Sequence, residues 1–141
     1  MTMMDSSTYD IEDSPEGIFQ FMLDQGWSDG LPVIPPTADR VRSMLDYAQR
    51  DASELVGYIN PDAGSATMEK IAVNAVMAGC LPEYMPVLIA TVQAITEPEF
   101  NIHGLQTTTN PVSPLLIING PVREQIGLNS CLLYTSDAAD E

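Results

Sequence analysis

The side chains with the most chemical capacity fall in three stretches. In MAGCLPEYMP, Cys80 lies between the end of one apolar run and the start of the next, with Glu83 three residues on. A thiolate is stabilised by a following helix N-terminus and disfavoured by a preceding C-terminus, so the local dipoles oppose each other and the sign stays open. Glu83 and Cys80 could relay protons. The plainer alternative is a first-turn acid that helps a helix begin beside a packed thiol, the commoner state of cysteine. In GSATMEK, Gly64, Ser65 and Thr67 stand at the mouth of a helix, with Lys70, the only lysine, one turn in. Free N–H groups, two hydroxyls and an ammonium would hold a carboxylate or phosphate. The Walker spacing is missing, and capping with a snorkelling lysine is the competing reading. Asn74, one turn beyond Lys70, binds ligand or ties two elements together if it is buried.

The third stretch is EFNIHGLQTTT, with the only histidine, His103. It could act as a general base near neutral pH; a structural or surface role is the alternative. A lone histidine with no Cys-x-x-Cys partner gives no metal site, and the residues name no cofactor. Trp27, Asp29 and Gly30 in GWSDGLP read as a turn whose aromatic packs down while Asp29 makes an Asx-type bond.

The elements that must position these groups are legible in outline. Ser14-Pro15-Glu16 caps and opens a helix over about 15–25. Prolines 32, 35 and 36 leave only a short extended segment at 31–34, and Thr37 caps a second helix over 38–49. ELVGYI (54–59) reads as a strand and NPDAGSAT as a turn. From Thr67 to Gly79 the chain is apolar nearly all the way round, which predicts a central, buried helix. A further helix begins near Glu83 or Tyr84 with Pro86 in its first turn. HGLQTTT and PLLIIN are expected as strands, and Gly120-Pro121 opens a last helix. The sum is an α/β, mixed layered fold around a buried central helix pair.

Residues 131–141, CLLYTSDAADE, break the pattern. Back-translated with ordinary codons, they resemble a transposase mosaic end and sequencing adapter, so they are read as an adapter-derived tail and excluded from the fold. The expectation is a disordered acidic arm (1–13), then the N-terminal part of one α/β domain (14–130) cut in mid-domain. A net charge of −15 with five basic residues argues against nucleic acid and anionic membrane. The apolar region 71–95 is interrupted by Asn74, Glu83, Gln93, Pro82 and Pro86, which speaks against a membrane span. Cys80 as the one native cysteine and the lack of a secretory signal fit a cytoplasmic protein.

Three stretches, GWSDGLPVIPPT, ATMEKIAVNAVMAGCLPEYMPV and HGLQTTTNPVSPLLIINGP, together resemble a family of uncharacterised bacterial proteins associated with small thiol or selenocysteine proteins that carry a Sec/Cys-Gly-Ser-Cys motif. The motif itself does not occur here. The resemblance implies a thiol-linked oxidoreductase or lyase subunit, with a small thiol or selenoprotein as partner and a small organic substrate. An anionic substrate follows from the residues: Ser65, Thr67, Lys70 and Asn74 would hold it, while Cys80, Glu83 or His103 handles protons. A non-catalytic partner- or ligand-binding subunit is the alternative.

Overall fold

The computed structural model describes residues 4–62 and 64–128. Helices dominate, with one small sheet. Helix α1 (Pro15–Asp24) starts as expected: the Ser14 hydroxyl accepts from the Gly17 N–H at 3.0 Å, and Pro15 needs no donor in the first turn. It ends in a Schellman motif. Gly26 lies in the left-handed region at φ +68°, and the Gly26 and Trp27 N–H groups donate to the Leu23 and Met22 carbonyls. Helix α2 (Ala38–Ala48) buries Val41, Met44 and Leu45, three residues at helical spacing.

Strand β1 (Leu55–Ile59) runs antiparallel to β2 (Gly64–Thr67), pairing Tyr58 with Ser65 and Ile59 with Gly64 and slipping register around Val56. The stretch expected to be only a turn therefore supplies a strand. Gly64 and Ala66 are poor strand formers and are extended because β1 offers a ladder. Helix α3 (Met68–Met77) follows at once. After a 3-10 turn at Pro82–Tyr84, helix α4 (Met85–Thr96) carries Pro86 in its first turn, where the missing N–H costs nothing.

The core is where α2, α3 and α4 meet. Met44, Met68 and Met85 are its largest fully enclosed side chains, joined by Ile71, Val76 and Ile89. Burying each such side chain contributes about 1.5–3 kcal/mol relative to exposure. α3 is not enclosed all round, however. Met68, Glu69, Ile71, Ala72, Ala75 and Val76 are buried, but Lys70 and Asn74 face water. A 3.6-residue period leaves an outer stripe on any helix packed from one side.

Two further expectations fail on strands. HGLQTTT forms helix α5 (Ile102–Thr107): Asn101, at φ +54°, caps it by accepting from the Gly104 N–H, and the Thr107 hydroxyl donates to the His103 carbonyl. A local cap acts without help, whereas the strand preference of three threonines is realised only against a neighbouring strand. PLLIIN forms neither helix nor strand, and helix α6 (Pro121–Gln125) follows it as expected.

The acidic arm has neither helix nor strand over residues 4–13, yet it is fastened at two points. The Glu69 carboxylate accepts the N–H groups of Asp5 and Ser6 at 2.9 and 3.0 Å, beside Met4 on the core. Farther along, Tyr9 packs against Phe21 and Trp27, ring centroids 5.4 and 5.6 Å apart. Trp27 does not pack down into the core as expected: its ring meets Tyr9 and Phe21 edge-on and stays 43% exposed, whereas Asp29 Oδ1 accepts the Leu31 N–H to make the expected Asx turn. The tail at 131–141 lies outside the described residues. Among the described residues no helix is long and apolar enough to cross a membrane.

Candidate functional site

The residues expected to hold an anion do come together, and they satisfy one another. Thr67 caps α3, its hydroxyl accepting from the Lys70 N–H at 3.4 Å. The two preceding N–H groups, on Met68 and Glu69, donate to the carbonyls of Glu54 and Ala52 at 2.9 and 3.0 Å. Helix starts bind anions through donors that the helix leaves over. Here the strand-to-helix junction has taken the first three. The Lys70 ammonium reaches back to β2, donating to the Ser65 carbonyl at 3.0 Å and to the Ser65 hydroxyl at 2.9 Å. Asn74 donates to the Lys70 carbonyl on its own helix at 2.8 Å, so it ties no second element. Ser65, Thr67, Lys70 and Asn74 form a seam from β2 along α3, half-buried at Ser65 and Thr67 and exposed at Lys70 and Asn74.

Cys80 stands at the other end of α3. The chain leaves the helix through a Schellman motif, with Gly79 at φ +78° and the N–H groups of Gly79 and Cys80 donating to the carbonyls of Val76 and Ala75. Its second residue past the cap typically makes an apolar contact back onto the helix, and Cys80 does so, half-buried against the core. Burial pushes the thiol above its ordinary value. The C-terminal dipole of α3 acts in the same direction. A shallow hollow of about 260 Å³ opens beside the thiol, with Ile34, Arg40, Ser43 and Leu81 among its walls. The Arg40 guanidinium is directed to the Pro35 carbonyl at 2.9 Å.

Glu83, in the 3-10 turn, and His103, on α5, are both exposed, and neither lines this hollow. No hydrogen bond among the described residues joins Cys80, Glu83 or His103 into a relay, or any of them to the Lys70 seam. Among the described residues no cluster of three or more His, Cys, Asp or Glu side chains could hold a metal.

Two features escaped the sequence reading. Glu69 is the one buried charged residue among those described, 6% exposed. Burial acts to raise its pKa, but hydrogen bonds from the Ser6 side chain and from the Asp5 and Ser6 backbone together hold the carboxyl below its ordinary value. No local signal marks it, because its burial depends on an arm more than sixty positions away in sequence.

The second feature is an open apolar groove of about 540 Å³ between α4 and residues 114–119, with Val87, Ala90, Ile95, Leu116 and Ile118 among its walls. Residues 85–96 and 111–122 carry no charge. Leu115 and Ile117 are 84% and 77% exposed on its rim. The uncharged run PVSPLLIINGPV was the available signal, and reading PLLIIN as an ordinary paired strand concealed it. Comparison of the chain with protein-family models, with curated proteins and with solved structures finds no match.

Proposed function

We propose that this chain is a non-catalytic subunit that docks a partner protein on the apolar face made by α4 and residues 114–119. The observation that carries this reading is the groove itself. An open apolar groove with exposed leucine and isoleucine on its rim is the kind of surface that receives a partner, and an acidic chain has gathered there two stretches without a single charge. The thiol raised by burial, the fully engaged start of α3 and the separation of Glu83 and His103 from both weigh against a catalytic centre. The layered α/β architecture expected from sequence fits the same reading, with the second layer supplied across this face. The resemblance to thiol- and selenol-associated proteins names a first partner to try: a small cytoplasmic protein carrying the Sec/Cys-Gly-Ser-Cys motif. Titration of such a protein into wild type and into Leu115→Asp/Ile117→Asp should show binding weakened at least tenfold by the double substitution, with Tm unchanged. Equal binding by both would refute the proposal.

A second reading has one observation in its favour. The hollow beside Cys80 has a cation and a hydroxyl, Arg40 and Ser43, at its wall, a setting for a small anionic organic substrate in a thiol-linked oxidoreductase or lyase. In that case Cys80→Ser and Arg40→Ala, made in the complete protein, each lower turnover without moving Tm. Unaltered turnover in both would dismiss it.

A further inference from the structure

Residues 4–33 are tied to one another more closely than to the rest of the molecule. Ser14 caps α1, the N–H groups of Gly26 and Trp27 close its far end, and Tyr9 folds back onto Phe21 and Trp27, which meet each other edge-on with centroids 5.8 Å apart. Outward ties are few. Among the described residues, the only hydrogen bonds from 4–33 to any later residue are those of Asp5 and Ser6 to Glu69, and no salt bridge crosses that boundary. The next tie along the chain is the Ile34 N–H, which donates to the Met77 carbonyl of α3 at 3.2 Å. Apolar ties are equally sparse. Met4 packs on the core, and Met22 is the one buried side chain of α1 without belonging to the cluster where α2, α3 and α4 meet. Helix α3, also ten residues long, buries six. A helix shorter than about 12 residues is marginal by itself in water, so α1 persists because something holds it. Tyr9, seated on Phe21 and Trp27, joins it to the arm that Glu69 holds.

We infer that residues 4–33 are a detachable flap: the Glu69 carboxylate latches it, Ile34 marks its hinge, and breaking the latch releases α1 together with the arm while α2, α3 and α4 stay folded. Segments joined to a core by few buried contacts open at a lower free energy than the core itself. The device makes the order of a peripheral helix depend on one buried side chain. Opening uncovers that side chain at the start of α3. The flap contributes no wall to the groove beside α4, so the inference is independent of the docking reading above.

The test reads amide exchange by NMR on the full chain, in wild type, Glu69→Ala and Ser6→Pro. Ser6→Pro deletes one of the two donors from the arm and leaves every core side chain in place. In wild type the amides of 18–25 should share one opening with those of Asp5 and Ser6, and be at least about tenfold less protected than the slowest amides of α2 and α3. In both variants 18–25 should lose about a further tenfold or more, while α2, α3 and the Ile34 amide remain protected. Loss of protection at Asp5 with 18–25 unchanged would show that the arm moves without α1 and overturn the flap. Protection in α1 equal to that of α2 and α3 in all three proteins would show one cooperative unit and overturn it too. Asp5 still protected in both variants would remove Glu69 as the latch, and loss of protection at Ile34 would remove it as the hinge. Trp27, the only tryptophan, gives a second readout. Its fluorescence should change at lower denaturant than the helical circular dichroism does, and coincident transitions in wild type and variants would refute a separate flap.

Discussion

Replacing Glu69 by alanine should free the N-terminal arm and destabilise the fold by an amount the geometry sets. The buried carboxylate accepts two main-chain N–H groups at 2.9 and 3.0 Å. A hydrogen bond to a charged partner contributes about 1.5–3 kcal/mol. Asp5 and Ser6 are exposed and regain water once released, so the lower end applies to each, and the loss comes to roughly 3 kcal/mol. For a chain of this size that corresponds to a fall in Tm of roughly 10 °C. Glu69→Gln keeps an acceptor oxygen but no charge and should lose about half as much. The pH dependence has a definite sign. The folded carboxyl sits below its ordinary value, so its contribution is complete above the unfolded carboxyl pKa, about 4.3, and is lost as pH falls through the lower folded value.

Thermal unfolding at neutral pH and near pH 3 should therefore show the gap between wild type and Glu69→Ala closing in acid. Removing residues 1–8 in the wild-type and Glu69→Ala backgrounds completes a double-mutant cycle. The truncation should cost much less in the second background, because the arm is already loose. A Tm within about 2 °C of wild type at neutral pH, with the Ser6 amide still protected from exchange, would refute the latch.

Three other outcomes follow from local geometry. A Cβ at Gly57 would lie 2.5 Å from the Thr96 hydroxyl, so Gly57→Ala should cost about 1–3 kcal/mol in denaturant unfolding, and Thr96→Ala should restore part of it; additive losses would show that the contact is not the cause. Because burial raises the Cys80 thiol, timed alkylation at neutral pH should be much slower than for a free cysteine and should speed up on unfolding, and a native rate equal to the unfolded one would contradict that packing. Asn101 holds a left-handed backbone and caps α5 together, so Asn101→Ala should cost about 1–2 kcal/mol and loosen amides 104–107, whereas an unchanged exchange pattern would mean that the cap is idle.

How much of the site was legible differs residue by residue. Of the two readings open for Thr67 and Lys70, anion holding and capping, the cap with its neighbour one turn in is legible because both relations are local. Whether the first N–H groups of α3 remained free was not readable, because the carbonyls that take them, on Ala52 and Glu54, arrive through the hairpin. Cys80 was placed correctly between two helices, yet its state depends on burial by the core, a property no dipole argument supplies.

What the sequence determined by itself is what a few consecutive residues can enforce: the Ser14-Pro15 and Thr67 helix starts, Pro86 in a first turn, the Gly26 and Gly79 helix ends, and the apolar faces of α1, α2 and α4. These follow from backbone sterics and from hydrogen bonds closed within about five positions. Only the tertiary structure decided which apolar and polar groups found distant partners. It paired Ser65 with Tyr58, buried Glu69 beneath the arm, turned Lys70 and Asn74 to water, and left Leu115 to Ile118 outside any sheet. The physical reason is that strand pairing and charge burial are properties of two segments brought together. Neither segment alone carries the free energy that settles the outcome.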